Sequence, residues 1–140
     1  MSKVAVVYWS GTGNTEQMAN LVAEGATAAG AQVTCVGVAD FSAADVDAYD
    51  AVAFGCPSMG CEELEDGEFL PVFNECEAKL AGKKVALFGS YGWGDGEWMR
   101  NWEETCRADG AVMACDCVIC CGAPDGAAEE ECKQLGAALA

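Results

Sequence analysis

The sequence lacks histidine altogether and has few residues of positive charge. Seven Lys and Arg stand against 23 Asp and Glu, so the formal net charge is −16 at pH 7. Proteins that bind nucleic acids or anionic membranes use Lys and Arg to contact the phosphates, so this charge balance argues against both classes of partner. Two interpretations of the acidity stay open. The acidic residues keep the protein in solution or, if they surround a functional site, they steer basic partner proteins towards it.

Long apolar runs and an export signal are also missing. No uninterrupted apolar stretch approaches the roughly 20 residues that a membrane-spanning helix needs. Residues 1–4 lead directly into a strand-like segment, without the basic flank, apolar stretch and cleavage site of a secretory signal, which predicts a cytoplasmic protein. The chain has 140 residues, of which 52% are apolar. This size predicts one domain, residues 1–140, with a substantial core.

Cysteine, by contrast, is abundant, with ten in 140 residues. A reducing cytoplasm disfavours disulfides. The densest cluster, C-x-C-x-x-C-C over residues 115–121, does not have ferredoxin spacing, and no histidine is present to complete a mixed zinc site. Buried cysteine packs as a small apolar side chain, and we expect Met113, Cys115, Cys117 and Ile119 to share one face of a strand. Structural thiols are the favoured interpretation, and a metal or iron–sulfur site is the alternative.

Short apolar runs alternate with segments of helical periodicity along the chain. The strand-like runs are residues 4–9, 32–38, 51–55, 84–88 and a segment within 112–120. Uninterrupted apolar strands are typical of a parallel sheet that is covered on both faces, and β–α alternation then predicts a doubly wound α/β domain with helices on both faces. Ligands bind such a sheet beyond the carboxyl ends of its strands, where strand order reverses. Three unusual loops fall at carboxyl ends: 9–15, 56–62 and 90–96.

The first of these loops predicts a phosphate site. It reads Ser10-Gly11-Thr12-Gly13-Asn14-Thr15 and lies between a strand and a helix. The lysine of a P-loop is absent, and Glu16 stands where the dinucleotide fingerprint has its third glycine. Hydroxyl groups and the N–H groups of a helix N-terminus can nevertheless bind a phosphate without any cation. The alternative is an ordinary turn in which Asn or Thr caps the helix.

The other two loops predict a slot for a flat ring. In residues 90–96, glycines on both sides of Trp93 let the backbone approach a ligand closely, and the exposed indole is suited to stacking on a heteroaromatic ring. The alternative places Trp93 in the core. In residues 57–62, Met59 offers a pliable thioether for the opposite ring face, and Gly60 can reverse its peptide plane with little steric hindrance.

Together these loops resemble the flavodoxin family. The residues that carry the resemblance are Tyr8 to Glu16, Gly55 to Gly60, and Lys83 to Gly96. The resemblance covers the whole chain and points to the short-chain, clostridial-type branch, because the fifth strand lacks a long insertion. It implies a five-stranded parallel sheet in the order 2-1-3-4-5, a topology for which flavodoxin itself is a standard example. It also implies non-covalent binding of FMN and no bound metal.

The resemblance further implies which residues bind the FMN. They are Ser10, Gly11, Thr12, Gly13, Asn14, Thr15, Pro57, Ser58, Met59, Gly60, Glu62, Ser90, Tyr91, Gly92, Trp93, Gly94 and Asp95. Ser10 to Thr15 correspond to the phosphate site, and Trp93 and Met59 to the two sides of the isoalloxazine. The Gly60 carbonyl would turn towards flavin N5 in the one-electron-reduced state, and Glu62 corresponds to a carboxylate near N3.

The implied function is that of an electron carrier without enzymatic activity of its own. The protein would shuttle between semiquinone and hydroquinone at low potential, and the acids after Met59 and around Trp93 would disfavour the anionic hydroquinone. It would act as a monomer and dock transiently to basic reductases and acceptor enzymes. Cys61 departs from the family pattern at the position next to the expected Gly60 peptide flip. The alternative is a flavin-dependent quinone or FMN reductase on the same fold.

Overall fold

The chain alternates between strands and helices. The computed structural model describes residues 2–59, 63–92 and 94–140. The strands are β1 (Lys3–Tyr8), β2 (Gln32–Gly37), β3 (Ala51–Gly55), β4 (Lys84–Tyr91), β5 (Val112–Met113) and β6 (Val118–Cys121). The helices are α1 (Asn14–Ala28), α2 (Ala43–Val46), α3 (Phe69–Cys76), α4 (Glu97–Ala108) and α5 (Gly126–Leu139), with short 3-10 turns at Val38–Asp40 and Glu77–Lys79. Each strand-like run of the sequence forms a strand, and the fifth run forms two.

The strands form one parallel sheet in the order β2-β1-β3-β4, with β5 and β6 both paired to β4 at its edge. This confirms the predicted order 2-1-3-4-5 and the doubly wound α/β class. The fifth strand is not continuous, because β5 pairs with the start of β4 at Lys84 and Val85, whereas β6 pairs with its end. Residues 114–117 interrupt the strand between these two segments.

This interruption corrects the prediction for the cysteine-rich strand. Met113, Cys117 and Ile119 pack against one core, as expected, but Cys115 packs on the opposite side of the sheet. Side chains alternate regularly only along a continuous strand, and residues 114–117 do not form one. The prediction that Cys115 shares a face with the other three residues is therefore wrong.

Most of the described cysteines nevertheless behave as packing residues, since seven of them belong to the two cores and only Cys35 and Cys121 are exposed. The nine that the structure describes are free thiols. Burial raises the pKa of Cys56, Cys106 and Cys132 to about 12 in each case, and only the deprotonated thiol is a good nucleophile or metal ligand. Over residues 2–59, 63–92 and 94–140, no group of three metal-ligating side chains comes together. These observations do not favour the metal alternative.

The sheet separates two cores of different character. We call the side covered by α2, α3 and α4 the aromatic face, because Phe54, Phe69, Phe73 and Trp102 meet there with ring centroids 5.3 to 6.4 Å apart. The other side, covered by α1 and α5, is packed mostly by Ala, Val and Leu, and we call it the small-residue face. None of the described helices is long and apolar enough to cross a membrane.

Candidate flavin site

The carboxyl ends of β1, β3 and β4 meet at one edge of the sheet. Tyr8 of β1 is paired with Gly55 of β3, which is paired with Phe88 of β4, so the three strands reach this edge in register. From β1 the chain first crosses to β2 on one side and then to β3 on the other. This reversal is the point at which ligands bind in open α/β sheets.

A cavity of about 260 Å³ lies at this edge. Backbone hydrogen bonds hold its walls together, since Ser58 donates to the Ser90 carbonyl (3.0 Å) and Gly122 donates to the Tyr91 carbonyl (2.9 Å). The lining residues are Trp9, Ser10, Gly11, Thr12, Asn14, Thr15, Pro57, Ser58, Met59, Ser90, Tyr91, Gly92 and Gly122. The three loops singled out in the sequence therefore do meet in space.

The base of the site is fixed from the aromatic face. The buried indole of Trp98 donates from Nε1 to the Cys56 carbonyl at 3.2 Å. Gly89 lies directly against that same carbonyl, where any Cβ would overlap it. A buried carbonyl that loses its donor destabilises the fold by about 1–3 kcal/mol, so Trp98 holds the start of the Pro57–Met59 segment in place.

The polar end of the cavity is the N-terminus of α1. Gly13, at the N-cap, has φ of 98° in the left-handed region, and no side chain caps the helix. Ser10 Oγ instead accepts from the Gly13 N–H at 3.0 Å. The first N–H groups of a helix have no intrahelical acceptor, and the helix dipole makes this end positive. The cavity thus ends in donors that suit an anion.

Thr15 provides an independent observation at the same place. The residue is 1% exposed and lines the cavity, yet its Oγ1 is buried without a hydrogen-bond partner. An unsatisfied buried hydroxyl is destabilising by about 1–3 kcal/mol, and an anionic acceptor at the helix N-terminus would remove this penalty. Among the described lining residues there is no Lys or Arg, so hydroxyl and N–H groups are the donors available.

The other end of the cavity is lined by larger side chains. Trp9 packs its ring against Gly11, where an added Cβ would lie 3.1 Å from the indole, and Trp9 Nε1 donates to Glu68 at 3.2 Å. Met59 is 39% exposed, and its backbone is paired in both directions with that of Glu63. Tyr91 packs on the buried Trp98, with ring centroids 5.6 Å apart. This end can accommodate a flat ring.

The acidic residues near the cavity have different local roles. The Glu65 carboxylate accepts from the N–H groups of Gly67, Glu68 and Phe69, each at 2.8 Å, where α3 begins. Its burial would raise the pKa, but these backbone hydrogen bonds outweigh burial and lower the pKa of Glu65. Asp95 is exposed and pairs with Arg100 at 3.0 Å. Glu65 therefore builds the loop structure, and Arg100 partly compensates the charge of Asp95.

Most of the predicted site residues that the structure describes line the cavity. Gly13 does not, but it positions the first turn of α1. Gly94 and Asp95 do not line it either, and Asp95 instead accepts hydrogen bonds from Arg100 of α4. Gly60, Glu62 and Trp93 lie outside the described residues, as does Cys61.

Two lining residues were not among the predicted site residues. Trp9 directly follows β1, and Gly122 directly follows β6. Ser90 Oγ donates to the Gly122 carbonyl at 2.6 Å, which ties the last strand to the site. The rule that ligands bind at the carboxyl ends of strands applies to the fifth strand as well as to the first, and that rule alone points to Gly122.

An open parallel sheet with a helix N-terminus and a cavity at its switch point defines the class of α/β proteins that bind nucleotides at that place. Comparison with known proteins specifies the family. The flavodoxin family model matches residues 6–136. A flavodoxin from Megasphaera elsdenii is 49% identical to the chain, and the match covers 98% of each sequence. A flavodoxin from Clostridium beijerinckii is 46% identical, and the match covers 96% of this chain and 97% of that flavodoxin. The solution structure of two-electron-reduced M. elsdenii flavodoxin superposes with a TM-score of 0.90, covering 97% of each chain.

The chain belongs to the flavodoxin family. It is a small electron-transfer protein that binds FMN and serves redox partners, and it is a carrier rather than an enzyme. The comparisons do not favour the alternative of a quinone or FMN reductase.

Proposed function

We propose that the cavity at the switch point is the FMN site of this chain. Ser10, Thr12 and Thr15 would hold the phosphate together with the N–H groups of the α1 N-terminus. The loops at 57–59 and 90–92 would hold the ring system. The observation that carries this assignment is the Thr15 hydroxyl, which is buried in the cavity wall without a partner. The roles expected for Gly60, Glu62 and Trp93 stay predictions.

The residues of the chain explain how the site would serve electron transfer. When bound, FMN accepts and releases electrons one at a time. The chain would hold its phosphate by uncharged donors, and the described residues that line this end include no Lys or Arg that would stabilise added negative charge. Trp9, Met59 and Tyr91 keep water from the ring end. Acidic residues such as Glu63, which is exposed beside the cavity, oppose the build-up of charge there. These features support a low potential.

The replacement Thr15→Val tests the assignment of the phosphate end. Valine keeps the shape of the side chain and removes the hydroxyl, so FMN affinity should fall by about tenfold, equivalent to about 1.4 kcal/mol. The stability of the flavin-free protein should stay the same or rise, because a buried unsatisfied hydroxyl has been removed. Fluorescence titration with FMN and urea unfolding of the apoprotein measure the two effects. Unchanged FMN affinity would overturn the assignment.

Thr27→Val is the matched control. Thr27 lies in the last turn of the same helix and is exposed. FMN affinity should be unaffected there. If both replacements weaken FMN binding equally, the effect comes from α1 as a whole and not from the hydroxyl.

The partner proteins are proposed to be basic. The net charge of −16 and the exposed acids near the cavity favour encounter with basic patches, and such encounters slow as salt rises. The rate of reduction by a basic reductase should therefore fall steeply between low and physiological ionic strength. A rate indifferent to salt would rule out electrostatic steering. Monomeric state and cytoplasmic location stay predictions, to be tested by sedimentation and by cell fractionation.

A further inference from the structure

A second cavity, of about 320 Å³, lies between α3 and α4 and extends to Glu63, whose backbone is paired with that of Met59 at the flavin site. We call it the α3–α4 groove. Aromatic rings of Phe73, Trp98 and Trp102 contribute to its wall, and two carboxylate residues, Glu63 and Glu77, line it as well. The groove therefore combines an aromatic surface with negative charge.

Trp102 is the unusual residue in this groove. It is 2% exposed, and its indole N–H is buried without a hydrogen-bond partner. Its other neighbours include the rings of Phe69 and Phe73, which meet it edge-on with centroids at 5.4 and 5.7 Å and offer no oxygen acceptor. Since Trp102 also lines the groove, an acceptor atom of a molecule bound there would satisfy this N–H.

The charges around the groove select against anions. None of the described residues lining it is Lys or Arg, whereas Glu63 and Glu77 are acidic. Burial, together with the neighbouring Asp109 carboxyl, raises the pKa of Glu77 to about 7. Above that pH Glu77 adds a second negative charge to the groove. A cation next to aromatic rings gains a further attraction from their π faces.

We propose that the α3–α4 groove is a binding site for a small aromatic cation that carries a hydrogen-bond acceptor. The ring packs on Phe73 and Trp102, the acceptor pairs with the Trp102 N–H, and the positive group lies beside Glu63 and Glu77. This site does not depend on the assignment of the flavin site, although Trp98 connects the two by holding the Cys56 carbonyl.

A matched series of ligands tests the proposal on the FMN-loaded protein. Tyramine, tyrosol and 4-hydroxyphenylacetate share a phenol ring and differ in carrying a positive, a neutral or a negative group. At pH 8, where Glu77 is ionised, tyramine should bind saturably with a dissociation constant on the order of 1–10 mM. Tyrosol should bind about threefold more weakly, and 4-hydroxyphenylacetate should not saturate in this range. Shifts of the Trp98 and Trp102 indole N–H signals in ¹H–¹⁵N spectra report binding.

Variants identify the groups involved. Glu77→Gln should weaken tyramine binding about threefold, whereas Glu75→Gln, an exposed position on α3 that does not line the groove, should leave it unchanged. Trp102→Phe should abolish the advantage of tyramine over 2-phenylethylamine, which lacks the phenolic oxygen. The visible spectrum of bound flavin shows in each case that the first site is intact.

Three results would overturn the proposal. One is a failure of tyramine to saturate the indole shifts, which means that the groove does not bind this ligand. A second is equal binding of all three ligands, which excludes recognition of charge. The third is a loss of tyramine binding in Glu75→Gln as large as that in Glu77→Gln, which places the cation outside the groove.

Discussion

The small-residue face and the aromatic face of the sheet are packed in opposite ways. Under α1 and α5 the helices approach until backbone meets backbone: a Cβ at Gly25 would overlap the Lys133 carbonyl, and one at Gly136 would overlap the Val22 carbonyl. On the aromatic face, Phe69, Phe73 and Trp102 fill the space with rings.

Each of the two faces supports a different end of the flavin site. The close approach of α5 positions α1, whose N-terminus is the proposed phosphate end of the site. Trp9 and Tyr91, at the ring end, pack against the aromatic core. Large rings meeting edge-on also leave the α3–α4 groove beside them. The small-residue face therefore supplies a fixed helix end, and the aromatic face supplies shaped surfaces.

The largest predicted loss of stability comes from a substitution that disrupts the backbone contact between α1 and α5 on the small-residue face. Gly136→Ala places a methyl group on the Val22 carbonyl, and neither backbone can yield easily, so the free energy of unfolding should fall by about 2–4 kcal/mol. Urea denaturation measures it. Gly126→Ala, on the same helix with open space around it, should be neutral or stabilising by up to about 1 kcal/mol. Similar losses at both positions would contradict the contact.

A second prediction separates two tryptophans of the aromatic face. Trp98 and Trp102 are each 2% exposed, but only the Trp98 N–H has an acceptor, the Cys56 carbonyl. Replacement by Phe removes similar volume from both, so Trp98→Phe should destabilise the protein by about 1–2 kcal/mol more than Trp102→Phe. It should also weaken FMN binding. Equal destabilisation would mean that the hydrogen bond contributes nothing measurable.

The third prediction concerns pH. The folded pKa of Glu77, about 7, lies above its ordinary value of 4.5 because of burial and the Asp109 carboxyl; the buried Cys106 thiol is coupled to both acids. The folded protein thus holds a proton that the unfolded chain releases, and its stability falls as pH rises from about 4.5 to about 7. Unfolding free energies across this range should show a slope that Glu77→Gln reduces and Glu75→Gln retains. If the unfolding free energy of the wild-type protein and of both variants changed equally with pH, the raised pKa of Glu77 would be contradicted.

The smallest effect concerns the flavin potential. Asp66 is exposed in the turn before α3, and one charge at about 10 Å in water contributes about 0.4 kcal/mol, or roughly 20 mV for one electron. Asp66→Asn should raise the more negative reduction potential by about that amount at low salt. Glu130→Gln, exposed on α5, should leave it unchanged. Glu65 is unsuitable for this test, because its carboxylate caps three backbone N–H groups.

Local pattern was sufficient for the doubly wound α/β class and for the three loops that form most of the cavity wall, whereas the order of the strands came from the family resemblance. Apolar runs located the strands, and the glycine- and hydroxyl-rich loop over residues 10–15 predicted a helix N-terminus, which the structure places at Asn14. The contribution of Gly122 was missed because nothing in its local sequence marks a ligand site. Its role depends on the Ser90 hydrogen bond, which joins residues 32 positions apart.

The chain by itself determined the alternation of elements, the excess of acid and the chemistry available in each loop, because these depend on composition and on spacing within short segments. Only the tertiary structure decided that the last strand breaks at 114–117, that Cys115 packs opposite its neighbours, that Glu65 builds a turn, and that α1 and α5 touch through Gly25 and Gly136. These are contacts between distant segments. They follow from register and close packing across the sheet, which no local pattern records.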